Sequence, residues 1–431
     1  MSYKVLLKSL FESVLQEVRP QKLISQACFI KDERFYIHDA CYDLRHYRKI
    51  HLLGSGKAVL PMMHAMQALL GTRLHQCVMV GAYHDQIPTQ TCRYIQSSHP
   101  VPTEKSLEAA RCFKSLFENF HEEDLFIYLL SGGSSAMLEL PEAGISLEAL
   151  QQATTLMLEG GLAIEEINSV RKHLSAIKGG KLGASTKATG IVLVLSDVVG
   201  DDLHAIGSAP LYCDTTTFAD AIASLKSHNI FNQMPECITQ YLTQGMQGRH
   251  HETPKNKPQH IAHYIIGSND VVLQKTKALL IQHQIPTTIL KDKIEGDAKV
   301  VAKHLYQFAQ EHVGTFHAYL FGGEPTVIVK KGGKGGRNQH LCLHFLQLLD
   351  THSQVTFLSA ATDGIDGNSD AAGAVIDTNS SNIAAEKEID IQSYLSHFDS
   401  HTYFTKTGEA IVTGATHNNL LDIMILLIEP N

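Results

Sequence analysis

The sequence predicts an α/β protein of more than one domain. Three observations carry that expectation. The chain has 431 residues, more than the roughly 100–200 of a single domain. Short apolar runs repeatedly lead through glycine-rich or polar turns into helix-period segments. Hydrophobic residues make up 44% against 19% charged, enough to close a core.

At the N-terminus, Val5, Leu6, Leu10, Phe11, Val14 and Val18 recur at helical spacing among Lys4, Lys8, Glu12 and Glu17. This reads as an amphipathic helix, not a signal peptide. Strands are expected at Ile50–Leu53, Cys77–Val80, Leu125–Leu130, Ile191–Leu195, Tyr264–Ile266, Ala318–Phe321 and Val355–Leu358. Between Thr243 and His260, Gly, Pro, His and Lys replace periodicity. The domain divide is placed there, giving domains 1–250 and 260–431.

Composition narrows the function. Lys and Arg number 36 against 44 Asp and Glu, a net charge of −8, which argues against a nucleic-acid binder and for small-molecule partners. Eight cysteines show neither C-x-x-C nor zinc-type spacing and read as reduced thiols of a cytoplasmic protein. Apolar runs such as Ile423–Ile428 are far shorter than the ~18 residues of a membrane span.

The chemistry-bearing residues collect where strands end, the position at which open α/β sheets bind ligands. The first strand runs into Gly54-Ser55-Gly56-Lys57, a tight turn that sets a lysine at a helix start and suits a phosphate or carboxylate. The third ends in Ser131-Gly132-Gly133-Ser134-Ser135, a loop whose backbone can wrap an oxyanion; a plain glycine turn with a serine cap is the alternative. Residues Asn168 to Lys181 concentrate Arg171, Lys172, Lys178 and Lys181 in an otherwise acidic chain, as a polyanionic ligand requires. Asp197 follows the fourth motif-bearing strand and is the candidate for Mg²⁺ binding or proton acceptance; Asp201 and Asp202 read as caps.

In the second half, Gly322-Gly323-Glu324 follows a strand, and the loop 332–336 delivers Arg337 to a helix start. A glycine-held arginine presents a planar donor fork to a carboxylate or to a phosphoryl group in flight. Asp366, Asn368, Asp370 and Asp377 have EF-hand spacing, but Ala371 stands at the glycine position and the twelfth residue is not Glu, so Asp363 and Asp366 read instead as polar cleft residues. No H-E-x-x-H accompanies the 25 histidines, which disfavours a histidine metal site.

Taken in order, GSGKA, HPVPTE, LLSGGSSA, NSVRKHLSAIKGGKL, SDVVGDD, GGEPTV, GGKGGRNQ and ATDGIDGNSDAAGA resemble the glycerate 2-kinases whose C-terminal half is called MOFRL. The resemblance implies a Rossmann-like three-layer N-terminal domain and a smaller α/β C-terminal domain, with the active site in a cleft between them. It implies ATP and Mg²⁺, and transfer of the γ-phosphoryl group to the 2-hydroxyl of glycerate. Lys57 and Arg337 correspond to the family's central catalytic residues, joined by Asp197. The resemblance adds Ser131 to Ser135, Asn168, Arg171, Lys172 and Lys178 as phosphate contacts, with Glu324 as a cleft acid. Ser134 replaces a usual glycine, Val199 a usual proline and His340 a usual acid, and the segment Thr413 to Asp422 also departs from the family pattern. Two rivals stay open: a hydroxypyruvate reductase, although no G-x-G-x-x-G follows a strand, and a non-catalytic sensor of phosphorylated acids. Homo-oligomerisation is also left open.

Overall fold

The computed structural model describes residues 2–82, 92–329, 332–350 and 354–429. By contacts the chain divides into two units, one of residues 24–266 and one of residues 1–23 with 267–431.

The first unit opens with an antiparallel meander, β1 (Cys28–Lys31), β2 (Arg34–Ile37) and β3 (Ala40–Asp43). Six strands then form one sheet: β4 (Ile50–Ser55), β5 (Leu74–Gly81), β6 (Cys92–Gln96), β7 (Leu125–Leu130), β8 (Thr189–Leu195) and β9 (Ile261–Gly267). Counted in chain order they run 3-2-1-4-5-6, the doubly wound Rossmann order. Every residue of β4 and β7 is buried, as a parallel sheet covered on both faces demands. Phe113 and Phe117 pack on Phe126 and Tyr128 in its core. Helices between residues 147 and 246 build a separate apolar cluster around Leu150, Phe218, Leu225 and Leu242.

The second unit holds β10 (Thr287–Ile289), β11 (Ile294–Asp297), β12 (His317–Thr326), β13 (Val355–Ala361), β14 (Gly373–Asp377), β15 (Ala410–Ile411) and β16 (Asp422–Ile428). The order is β10-β12-β16-β13-β14-β15, with β11 alongside β12. Strand β16 runs antiparallel to both neighbours and is wholly buried. Its apolar run is therefore a central strand, which the sequence reading treated only as too short to span a membrane.

Three further differences from the sequence reading have physical reasons. The N-terminal helix, Tyr3–Glu17, buries Leu7, Leu10, Phe11, Val14 and Leu15 against elements of the second unit, while Val5 is exposed. Strand β9 joins β8 in the first sheet, so the contact-based divide falls after the polar stretch 243–260, not within it. Cys77 and Cys92 are register partners on β5 and β6 and form a disulfide, which corrects the reading of all cysteines as free thiols. No helix among the described residues is long and apolar enough to cross a membrane.

Candidate active site

In a 3-2-1-4-5-6 sheet the connections diverge between the first and fourth strands, here β4 and β7, leaving a crevice at their carboxyl ends. The loop after β4 carries Lys57 and the loop after β7 carries Ser131 to Ser135. Hydrogen bonds stitch the two together. Lys57 N donates to Gly132 O at 2.9 Å, and Ala58 N donates to Ser131 Oγ at 3.0 Å.

The serine hydroxyls face inward. Ser134 Oγ lies 2.5 Å from Ser55 Oγ, which is 2.6 Å from the Tyr128 hydroxyl. Ser131 and Ser134 are each 2% exposed, so what the loop offers a ligand is its backbone. Among the described residues no acceptor takes the N–H groups of Gly132, Gly133, Ser134 or Ser135. Gly133 adopts φ 82°, whereas Ser134 opens the short helix that follows and sits in helical conformation, which tolerates a side chain. Asp197 borders the same loop. A Cβ on Gly132 would stand 2.0 Å from Asp197 Oδ2, so glycine is required for that approach.

The basic segment is more divided than its sequence suggests. Lys172 is 4% exposed and pairs with the fully buried Asp214 at 3.1 Å. Lys178 pairs with Glu139, both side chains 2% exposed, and burial draws the lysine pKa down. Lys181 meets Glu142 at 2.6 Å. These three cations have carboxylate partners within the chain, which offsets the positive charge the sequence reading assigned to a ligand. Arg171 differs. It is half-buried, burial lowers its pKa against the opposing attraction of Glu139, and among the described residues it makes no hydrogen bond or ion pair. Asn168, one turn earlier, accepts from Ser208 Oγ at 3.1 Å, and Ser208 is bonded in turn to Ser135. The Arg171 helix is thereby tied to the glycine loop.

In the second unit the loop 332–336 leads into the helix Arg337–Leu348. Arg337 Nε and Nη2 donate to Asp422 at 2.5 and 3.0 Å, and Nη1 donates to Glu324 at 2.5 Å. Burial works against this charge, but Asp422 and Glu324 outweigh it and hold the guanidinium pKa above its usual range. Glu324 is part-exposed and Asp422 is fully buried. The sequence reading missed Asp422 as a partner of Arg337: it closes the last recognisable motif, but nothing in a single sequence joins two positions 85 residues apart.

Asp366 corrects the expectation of a cleft residue. It is 1% exposed and accepts the N–H groups of Asn338 and Gln339 at 3.0 and 2.8 Å, fixing the start of the Arg337 helix. Burial pushes its pKa up to about 6 against those bonds. A Cβ on Gly336 would lie 2.3 Å from Asp366 Oδ1, which explains the last glycine of the loop. His340 and His344 pack edge to face at 4.7 Å, with burial lowering both pKa values and bringing His344 to about 4. Among the described residues no group of three or more His, Cys, Asp or Glu is placed to hold a metal ion.

A family model described as a domain of unknown function (DUF4147) matches residues 6–243, and the MOFRL family model matches residues 317–422. A glycerate 2-kinase of Pyrococcus horikoshii is 34% identical over 95% of this chain and 93% of its own. A D-glycerate 2-kinase of Thermotoga maritima is 34% identical over 88% of this chain and 91% of its own. The crystal structure of a glycerate kinase from Thermotoga maritima superposes with a TM-score of 0.87 at 31% identity, covering 99% of this chain and 100% of its own. The order of motifs, the two sheets and these matches over nearly the whole length agree, and the chain belongs to the glycerate 2-kinase family with a C-terminal MOFRL region.

Proposed function

We propose that this protein is an ATP-dependent glycerate 2-kinase requiring Mg²⁺, which gives 2-phosphoglycerate and ADP. Within that family, the observation that carries the reading is the switch point of the first sheet, where Lys57 borders a loop whose 132–135 backbone N–H groups have no acceptor among the described residues. Oriented amides and an ammonium are what phosphate oxygens bind.

Mg²⁺ takes hard oxygen ligands and is usually held by one or two carboxylates with water and substrate phosphates. Asp197 beside Gly132 fits that demand, and the bound ion would supply charge neutralisation at the phosphates. The chain's own residues do the rest by positioning. The 132–135 amides orient the nucleotide phosphates, Lys57 offsets their charge, and Arg171 adds a cation one turn from the residue tied to the loop. Lys172 and Lys178 hold the basic segment in place through Asp214 and Glu139. Arg337 acts on the transferring group or the acceptor carboxylate: three of a guanidinium's five donors are committed to Asp422 and Glu324, which fixes its plane and leaves the remainder for an oxyanion. Asp197 also serves as the carboxylate candidate for the acceptor hydroxyl proton.

The test is ADP release with ATP, Mg²⁺ and each enantiomer of glycerate, with the product's phosphate position read by ³¹P NMR. Turnover abolished by EDTA and a 2-phosphate product are expected; no ADP release with either enantiomer overturns the reading. Gly132→Ala should keep the fold, judged by its melting temperature, and lower turnover about 10²-fold, because the added methyl displaces the Asp197 carboxylate.

A further inference from the structure

The motif containing His99 and Pro100 is given no role by the reading above, yet the fold brings His99 to the phosphate loop. Its ring Cδ2 lies 3.0 Å from the position a Cβ would take on Gly133, and Lys57 Cγ lies 3.3 Å from that same point. The two side chains therefore flank one glycine.

The backbone leading to His99 is pinned. Ser97 N donates to Gly81 O at 2.8 Å, Ser97 Oγ donates to Met137 O at 2.8 Å, and Ser98 Oγ lies 2.6 Å from Thr103 Oγ1. The imidazole is not pinned: it is exposed, and among the described residues neither ring nitrogen has a hydrogen-bond partner. Histidines that serve the fold here look different. His204 Nδ1 bonds to Cys213 O at 2.8 Å, and His173 bonds to Ser169 O and to Glu252.

We propose that His99 is a substrate-contacting residue that hydrogen-bonds, beside Lys57, an oxyanion of the bound small molecule. This rests on the kinase reading for the identity of the molecule, and the oxyanion belongs either to the acceptor's carboxylate or to the nucleotide's phosphates. Although its surface is open to solvent, desolvation of the ring by the surrounding loops and then the neighbouring Lys57 ammonium push the histidine pKa down to about 4, so at neutral pH one ring N–H remains to donate without adding charge.

The test uses the full chain with His99→Ala and His99→Asn. A hydrogen bond to a charged group is worth about tenfold or more in affinity, so His99→Ala should raise one KM about tenfold. A rise for glycerate assigns the carboxylate, and a rise for ATP assigns the phosphates. His99→Asn, whose amide can donate, should lose less, and it carries the measurement if His99→Ala does not fold. An independent readout is the His99 imidazole NMR signal, assigned by its absence in His99→Asn, which should shift when glycerate or ATP is added alone. A shift without any ADP release would keep the contact and remove the kinase reading. Both KM values within twofold of wild type in both variants, or a signal that neither compound moves, overturns the proposal.

Discussion

Replacing Arg337 with alanine is expected to lower turnover with ATP and glycerate by about 10³-fold, the low end for an arginine that stabilises a transferring phosphoryl group. The reason lies in how the side chain is held. Asp422 takes one edge of the guanidinium and Glu324 a corner, while Asp366 fixes the first turn of its helix. The planar group is therefore oriented before substrate arrives, and most of its effect should appear in kcat. Arg337→Lys should not restore activity, because one ammonium cannot reproduce the bidentate fork. Arg337→Ala also leaves the buried Asp422 without its partner, so a lowered melting temperature should accompany the loss in that variant. Steady-state kinetics decides the matter: turnover of Arg337→Ala within threefold of wild type removes the assignment.

The second large effect concerns stability. Glu139→Ala should cost about 3–5 kcal/mol in denaturant unfolding, since it strands the charge of Lys178 in the interior. Both partners are almost fully enclosed, so water cannot replace the lost carboxylate. The double variant Glu139→Leu with Lys178→Met should recover most of the loss, because a buried ion pair exchanged for apolar residues of similar volume is often neutral or stabilising. The same variant separates two roles for Lys178. A stable but inactive double variant would show the lysine serving a ligand, and retained turnover would show that it serves the fold.

Much of the parallel sheet was legible because its strands are apolar on both faces and end in glycine turns. Leu125–Leu130 is a strand with the same limits in sequence and structure. The second sheet was harder. Strands β10, β11 and β15 span two to four residues, too short for periodicity to register, and β16 lacks polar alternation because neighbours cover both faces. At the N-terminus the helix was evident but its phase was not: Leu6 and Leu7 are equally apolar, and only packing selects Leu7. For the candidate site, sequence identified the segments and not the pairings. A run of Arg and Lys looks like an anion site until Asp214, Glu139 and Glu142 arrive from distant positions. Serines in a glycine loop look like ligand donors until Tyr128 and Ser55 take one of them.

The docking of residues 1–23 on the unit that begins at Gly267 has a consequence for biosynthesis. The helix leaves the ribosome more than two hundred residues ahead of the sheet it covers. Its apolar stripe of Leu7, Leu10, Phe11 and Val14 therefore lacks its native covering until translation reaches β13 and β14.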